Sequence, residues 1–253
     1  MPYQLTTSIR YDRNDADAPF LLLDYHYLRL LDAADRHAWE DAKAALNYDS
    51  LKSACEKAAQ AAEARDERVD QFKIRVLLTE RGVLTATASP AYHLPTDPFI
   101  AARFNPDSGT DPPWGLISSV RIDTQPTPTS IFTSTKTTRR EHYDAARSRA
   151  NLLPLPQATT PDDVLLYNSE GEITESSVSN VALYRDGKWL TPPLSTGCLK
   201  GVIRRWLLEH GLVEEAEKGV LMKDSIQVGD WILLSNAVSG CRLGRIEMSE
   251  SNR

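Results

Sequence analysis

The chain has 253 residues, 41% of them hydrophobic, and its 29 basic and 35 acidic side chains give a formal charge of −6. That is enough apolar material for one large domain or two small ones, and the acidic balance excludes a general nucleic-acid binder while allowing a local basic pocket. Cys55, Cys198 and Cys241 are odd in number and lack zinc-type spacing, so neither a disulfide framework nor a metal site is expected. No apolar run reaches membrane-spanning length and no signal-peptide apolar region opens the chain, so a cytoplasmic protein without a membrane partner is expected.

Residues 3–11 (YQLTTSIRY) are rich in β-branched and aromatic types and predict a strand. Residues 21–36 carry Tyr27, Leu30, Leu31 and Ala34 at helical spacing, which predicts an amphipathic helix with His26 and Arg29 on one face. The alanine-rich run 50–65 predicts a second helix starting at Asp49 or Ser50. Runs 72–79 and 83–88 flank Glu80-Arg81-Gly82 and predict a hairpin. Residues 89–113 hold six prolines and predict a long loop of the kind that lines binding sites; Tyr92 and Arg103 in it are candidate substrate-binding residues. Residues 114–122 predict a strand. Pro126 and Pro128 exclude helix over 125–130, which is taken as a linker between a small α+β domain (1–124) and a larger β-rich domain (131–253).

In the second half, Lys136 stands among hydroxyl residues just before a helix that runs through Asn151, and residues 151–162 read as an extra loop. Apolar runs 164–167 and 181–184 flank the polar block 173–180, and Asp186-Gly187 signals a tight turn before Trp189-Leu190. Pro192-Pro193 stops regular structure. Gly197 and Gly201 bracket a loop that enters a helix over 202–209, where free amide groups form an anion site that glycine lets a phosphate approach. Residues 211–213 and 220–224 predict a short strand and a helix start. Residues 231–234 predict a buried strand delivering the loop 235–240 (SNAVSG).

Five ordered segments resemble the class IV aminotransferase family, the fold-type IV pyridoxal-phosphate (PLP) enzymes. Ile173-Thr174-Glu175 with Asn180 matches I-T-E-x-x-x-x-N. Trp189-Leu190-Thr191-Pro192-Pro193 matches W-x-T-P-P, and Leu199-Lys200-Gly201-Val202-Ile203-Arg204 matches L-x-G-x-x-R. His26-Tyr27-Leu28-Arg29-Leu30 is similar to H-L-x-R-L, and Lys136-Thr137-Thr138-Arg139 is similar to K-T-x-x-R, closest to the fungal-type aminodeoxychorismate lyase branch. The resemblance implies a two-domain α/β (α+β) fold, PLP as cofactor, a homodimer and a small amine or amino-acid-like substrate. It implies Lys136 as the Schiff-base lysine, its amine freed for attack by desolvation and a nearby cation. Glu175 would face the pyridine nitrogen, and Asn180 of the same motif would be a further cofactor-binding residue. Arg29, Val202, Ile203, Ser235, Asn236 and Ala237 would bind the phosphate.

Relatives carry F-E-x-I-R or F-T-T in the first strand, and Thr7 stands in that place, either as a catalytic pocket residue or as an ordinary strand threonine. The lyase-like loop reads S-N-x-V-R-G, whereas this chain has Ser239 in place of the arginine; Arg242 is the candidate substitute for binding the substrate carboxylate. The expected activity is 4-amino-4-deoxychorismate lyase, forming 4-aminobenzoate and pyruvate. An (R)-selective amine or D-amino-acid aminotransferase is the alternative. A non-catalytic phospholigand-binding protein is the distant one.

Overall fold

The computed structural model describes residues 3–94, 97–112, 116–155, 157–158 and 160–248. Contacts between residues divide the chain into two units, Met1–Thr96 with Thr135–Arg139 and Ala237–Ser239, and Asp97–Ser134 with Arg140–Asn236 and Gly240–Arg253. The expected fold class, mixed α+β, is what forms: a small antiparallel sheet in the first unit and a large mixed sheet in the second.

In the first unit, strands β1 (Leu5–Asp12), β2 (Gln71–Leu78) and β3 (Leu84–Pro90) lie in the order β1-β2-β3. β1 and β2 are antiparallel with Leu5 opposite Leu78, and the expected hairpin joins β2 to β3. Its turn needs glycine, because Gly82 has φ +77° and a Cβ there would meet the Ala45 Cβ at 2.6 Å. Helix α1 (Leu23–Arg36) buries Leu23, His26, Leu30, Ala33 and Ala34, a stripe at three- and four-residue spacing. A short α2 (Glu40–Ala45) follows. Helix α3 (Tyr48–Glu63) starts earlier than the sequence suggests: Asn47 caps the Ser50 amide and Ser50 Oγ bonds back to the Asn47 amide, a reciprocal pair worth about 1 kcal/mol. α1, α3 and the sheet share one apolar core containing Leu5, Ile9, Leu30, Leu51, Phe72 and Ile74.

The outer edge of β1 is occupied. The Thr6 amide donates to the Lys136 carbonyl at 2.9 Å, the Thr138 amide to the Gln4 carbonyl at 2.9 Å, and Leu5 and Thr137 form an antiparallel bridge. The strand predicted to carry Thr7 therefore also holds the backbone that carries Lys136.

In the second unit, eight strands lie in the order β6-β5-β4-β11-β10-β7-β8-β9. They are β4 (Ser118–Ile122), β5 (Asp163–Tyr167), β6 (Ile173–Ser176), β7 (Asn180–Arg185), β8 (Lys188–Thr191), β9 (Glu214–Glu215), β10 (Trp231–Asn236) and β11 (Gly240–Glu247). β4 pairs in parallel with β5 and β11, and β8 with β9; the other pairs are antiparallel. β5 is buried along its whole length, which explains its unbroken apolar run: Leu165 and Tyr167 enter one core, while Val164 and Leu166 pack with Tyr143 and Ala146. Tyr143 and Ala146 come from α5 (Glu141–Arg149), which follows a single turn α4 (Ile131–Ser134). Helix α6 (Val202–Glu209) follows Gly201.

Residues 125–130, expected as a linker, lie within the second unit, where the Thr127 amide donates to the Tyr167 carbonyl at 2.8 Å. The strand expected over 114–122 is described from Ser118; Trp114, residues 95, 96 and 113 of the expected long loop, and residues 156 and 159 of the expected extra loop lie outside the described residues. The short strand expected over 211–213 forms directly after those residues as β9, and the helix start near 220–224 is a single 3-10 turn, Lys223–Ser225.

Candidate functional site

In the first unit the site is a chain of polar side chains under β1 and α1. Thr7 is fully buried, and its Oγ1 lies 2.5 Å from Arg29 Nη2 and 2.6 Å from His26 Nδ1. A guanidinium only donates, so the threonine oxygen accepts from Arg29, and the direction of the Thr7–His26 bond is set by the imidazole tautomer. Burial pushes the His26 pKa well below 6.5, with Arg29 and Lys136 adding to the effect, so the imidazole is neutral at physiological pH. Arg29 is lowered to about 10 by burial and stays charged. Two nitrogens of this cluster, Arg29 Nε and His26 Nε2, are buried without a hydrogen-bond partner. Arg29 is half-buried with its Nε enclosed, and a guanidinium with an unpaired N–H suits an anionic ligand.

Lys136 is half-buried at the end of the segment that pairs with β1. The neighbouring residue is fixed by a relay in which Tyr3 Oη meets His37 Nδ1 at 2.8 Å and His37 Nε2 meets Thr135 Oγ1 at 2.8 Å. Ala237 is buried in the same unit. Its neighbour Val238 is held by Arg10, whose Nη1 donates to the Val238 carbonyl at 2.5 Å while Nη2 bonds Gln71 Oε1 and the Tyr92 carbonyl.

In the second unit Glu175 is buried on β6, and Tyr143 Oη donates to its Oε1 at 2.7 Å. The strand end beyond it is pinned by a second buried carboxylate. Asp163 Oδ1 accepts from the Val164 amide, the Ser177 amide and Ser177 Oγ, and Oδ2 accepts from Ser176 Oγ, at 2.6–3.1 Å. Arg147, equally buried, donates to Ser177 Oγ at 3.1 Å and lies 3.9 Å from Asp163. The hydroxyl-rich block 174–179 is thus a scaffold as well as a lining.

Asn180 and Gly201 belong together. Asn180 Nδ2 donates to the Leu199 carbonyl at 2.8 Å, and a Cβ on Gly201 would stand 1.7 Å from Asn180 Oδ1. The close approach requires glycine, and it fixes the loop entering α6, whose first amides, those of Val202 and Ile203 among them, have no partner within the helix. No acidic residue occupies that first turn, so the positive end of the helix is open to an anion. Arg204 turns the other way: Nη2 bonds the Pro192 carbonyl at 2.7 Å and Glu215 at 2.5 Å, locking the helix to the Thr191-Pro192 segment. Ser235 is paired across the sheet with Asn180, on the same face of β10 and β7. Asn236 Nδ2 donates to Ser179 Oγ at 3.1 Å. The loop they open closes at Gly240, with φ +65°, where a Cβ would collide with the Pro98 carbonyl at 2.5 Å.

The three substrate-binding candidates differ in exposure. Tyr92 is 87% exposed. Arg103 is exposed and lies 3.9 Å from Asp97. Arg242 is paired across the sheet with Leu234 while Cys241 faces Ser235, and its Nη1 contacts the Pro161 carbonyl at 3.2 Å and Ser118 Oγ at 3.4 Å. Sequence reasoning missed the role of His26 as the partner of Thr7, and missed Tyr143 and Asp163 as partners of the Glu175 strand. The only local signal was a tyrosine on the buried face of a helix that directly follows the lysine segment. Among the described residues no group of histidine, cysteine and carboxylates could hold a metal ion, and no helix is long and apolar enough to cross a membrane.

A family model described as "Amino-transferase class IV" matches residues 4–244. The aminodeoxychorismate lyase of Saccharomyces cerevisiae is 32% identical over 261 residues, covering 90% of this chain and 68% of the yeast protein. A Schizosaccharomyces pombe protein that carries the same name provisionally is 41% identical over 118 residues, 46% of this chain and 49% of that protein. The matched stretches thus span about half to two thirds of these relatives. A solved structure provisionally named an amino-acid aminotransferase, from Mesorhizobium loti, shares the fold with a TM-score of 0.66 at 24% identity, covering 97% of this chain and 100% of that one.

Proposed function

The chain belongs to the class IV aminotransferase family, a family of PLP-dependent enzymes, and from that premise we propose that it is a 4-amino-4-deoxychorismate lyase releasing 4-aminobenzoate and pyruvate. Three features support PLP as the group held. The unpaired buried Nε of Arg29 suits a phosphate oxygen. The glycine-bounded start of α6 offers backbone amides to the same kind of anion. The buried carboxylate of Glu175 suits a ring N–H.

When bound, PLP supplies an electron sink for the reacting carbon of an amine substrate. Lys136 takes a proton from that carbon and returns one as product forms. Glu175 holds the proton at the ring nitrogen. Arg29, the amides of Val202 and Ile203, Ser235, Asn236 and the Ala237 amide bind phosphate, while Asn180 fixes the loop before α6. Thr7 acts by orienting Arg29 through its hydroxyl. Arg242, Tyr92 and Arg103 stand as the substrate-binding candidates, the two arginines for the substrate carboxylate. The active form is a homodimer in the cytoplasm.

The observation that carries the lyase reading is the likeness to the S. cerevisiae enzyme over nine-tenths of this chain. One residue favours a second reading, (R)-amine or D-amino-acid transamination: Ser239 stands where the lyase-like loop has arginine. Incubation of the PLP-loaded protein with aminodeoxychorismate, followed by 4-aminobenzoate fluorescence, separates the two. Product formation is expected. Turnover of D-alanine or an (R)-amine with an oxo acid, and none of aminodeoxychorismate, would replace the lyase by the aminotransferase.

A further inference from the structure

We propose that Tyr143 is a positioning residue for the reaction, a neutral donor that aims the Glu175 carboxylate and keeps the proton at the cofactor's ring nitrogen. The inference rests on the reading of Glu175 as the partner of that nitrogen. Tyr143 follows Lys136 by 143 − 136 = 7 residues and lies on the buried face of α5. Its Oη reaches Glu175 Oε1 at 2.7 Å, and both side chains are at least nine-tenths buried, so the bond is formed in a low-dielectric setting where it is strong and directional.

The donor keeps its proton. Burial, then the adjacent carboxylate, push the Tyr143 phenol well above 10, so the bond always runs from tyrosine to glutamate. A cation in this place would pair with the carboxylate and cancel its charge; a phenol orients it and leaves the charge in place. Arg140 stacks over the Tyr143 ring at 4.8 Å and donates to the Ser177 carbonyl at 2.8 Å, while the His142 ring packs against the phenol at 3.9 Å. Cys198, before α6, also lies within the field of the phenol and stays a thiol, raised to about 11 by burial. Arg140, His142 and Cys198 are among the groups that face the Tyr143–Glu175 pair.

Loss of the hydroxyl leaves the carboxylate less stabilised, so its proton affinity rises and the ring nitrogen loses its proton to it. A charged ring nitrogen lowers the proton affinity of the group Lys136 forms with PLP. The pH midpoint of the visible band of bound PLP therefore reports the pair. In Tyr143→Phe the midpoint rises and kcat falls about 10- to 100-fold with KM unchanged, the loss expected for one hydrogen bond to a charged group. Site-specific 3-fluorotyrosine at position 143, which keeps the shape and strengthens the donor, lowers the midpoint. A purely structural tyrosine would leave the fluorinated protein like the wild type, and that result overturns the proposal. Glu175→Gln separates this inference from its premise. A shifted midpoint in Glu175→Gln with unchanged midpoints in both Tyr143 variants removes Tyr143 alone. No shift in any variant, or no visible band at all, removes the role of Glu175 and with it that of Tyr143.

Discussion

In the first unit the half-buried Arg29 meets Thr7 with one nitrogen and leaves its enclosed Nε without an acceptor, whereas in the second unit both oxygens of the buried Asp163 are met by hydroxyls and amides. They differ in what completes them. Asp163 is completed by its own strand neighbours and so stabilises the fold. Arg29 is left incomplete by the protein. An unsatisfied buried polar atom is a cost that a native structure carries for a reason, and the function proposed above gives anion binding as that reason. Glu175 accepts from Tyr143 on one oxygen, next to the strand end that Asp163 pins.

The comparison is broken most severely at Asp163. Asp163→Ala removes the acceptor of four hydrogen bonds and leaves Arg147 buried without its carboxylate, so it should cost about 3–5 kcal/mol of stability, read as a lowered denaturant midpoint. Little loss would mean that the network is not structural. Arg29→Met sharpens the contrast. It should weaken PLP about 10- to 100-fold, as expected for hydrogen bonds to a charged group, while the ligand-free protein keeps or gains thermal stability. A destabilised ligand-free protein with unchanged PLP affinity would place Arg29 with Asp163 as scaffold.

The smallest effect is on pH dependence. The folded-state pKa of His26 lies well below its unfolded value of about 6.5. Below that value the unfolded chain binds the extra proton, so stability falls as the pH drops from about 6.5, by at most about 1.4 kcal/mol per pH unit for one proton. His26→Leu should flatten this slope between pH 5 and 6.5. The remainder belongs to His37 and His142, both also lowered by burial. An unchanged slope would show that His26 is not the buried neutral group described here.

Much of the second unit's site was legible because its residues are close in the chain. Glu175, Asn180 and the 199–204 segment are local motifs, and the close approach of Gly201 to Asn180 gives their spacing a steric reason. The strand at 3–11, the hairpin around Gly82 and the helices at Arg29 and Val202 were likewise legible from period and turn chemistry. Partners separated in sequence were not. Thr7 and His26 are 19 residues apart and Tyr143 and Glu175 are 32 apart, and only the packing of a helix on a strand joins each pair. Counting along the chain places Arg242 three residues from Ser239, and strand register sets it opposite Leu234 rather than Ser235.

The central claim is that Lys136 is the residue that binds PLP covalently. The direct measurement is to add PLP to the purified protein, record the visible spectrum, reduce with borohydride and map the label by mass spectrometry. The account predicts a yellow band and a reduced phosphopyridoxyl group on Lys136, with neither in Lys136→Ala, whose circular dichroism should match the wild type. A label on another lysine, or no band with the wild-type protein, would contradict it.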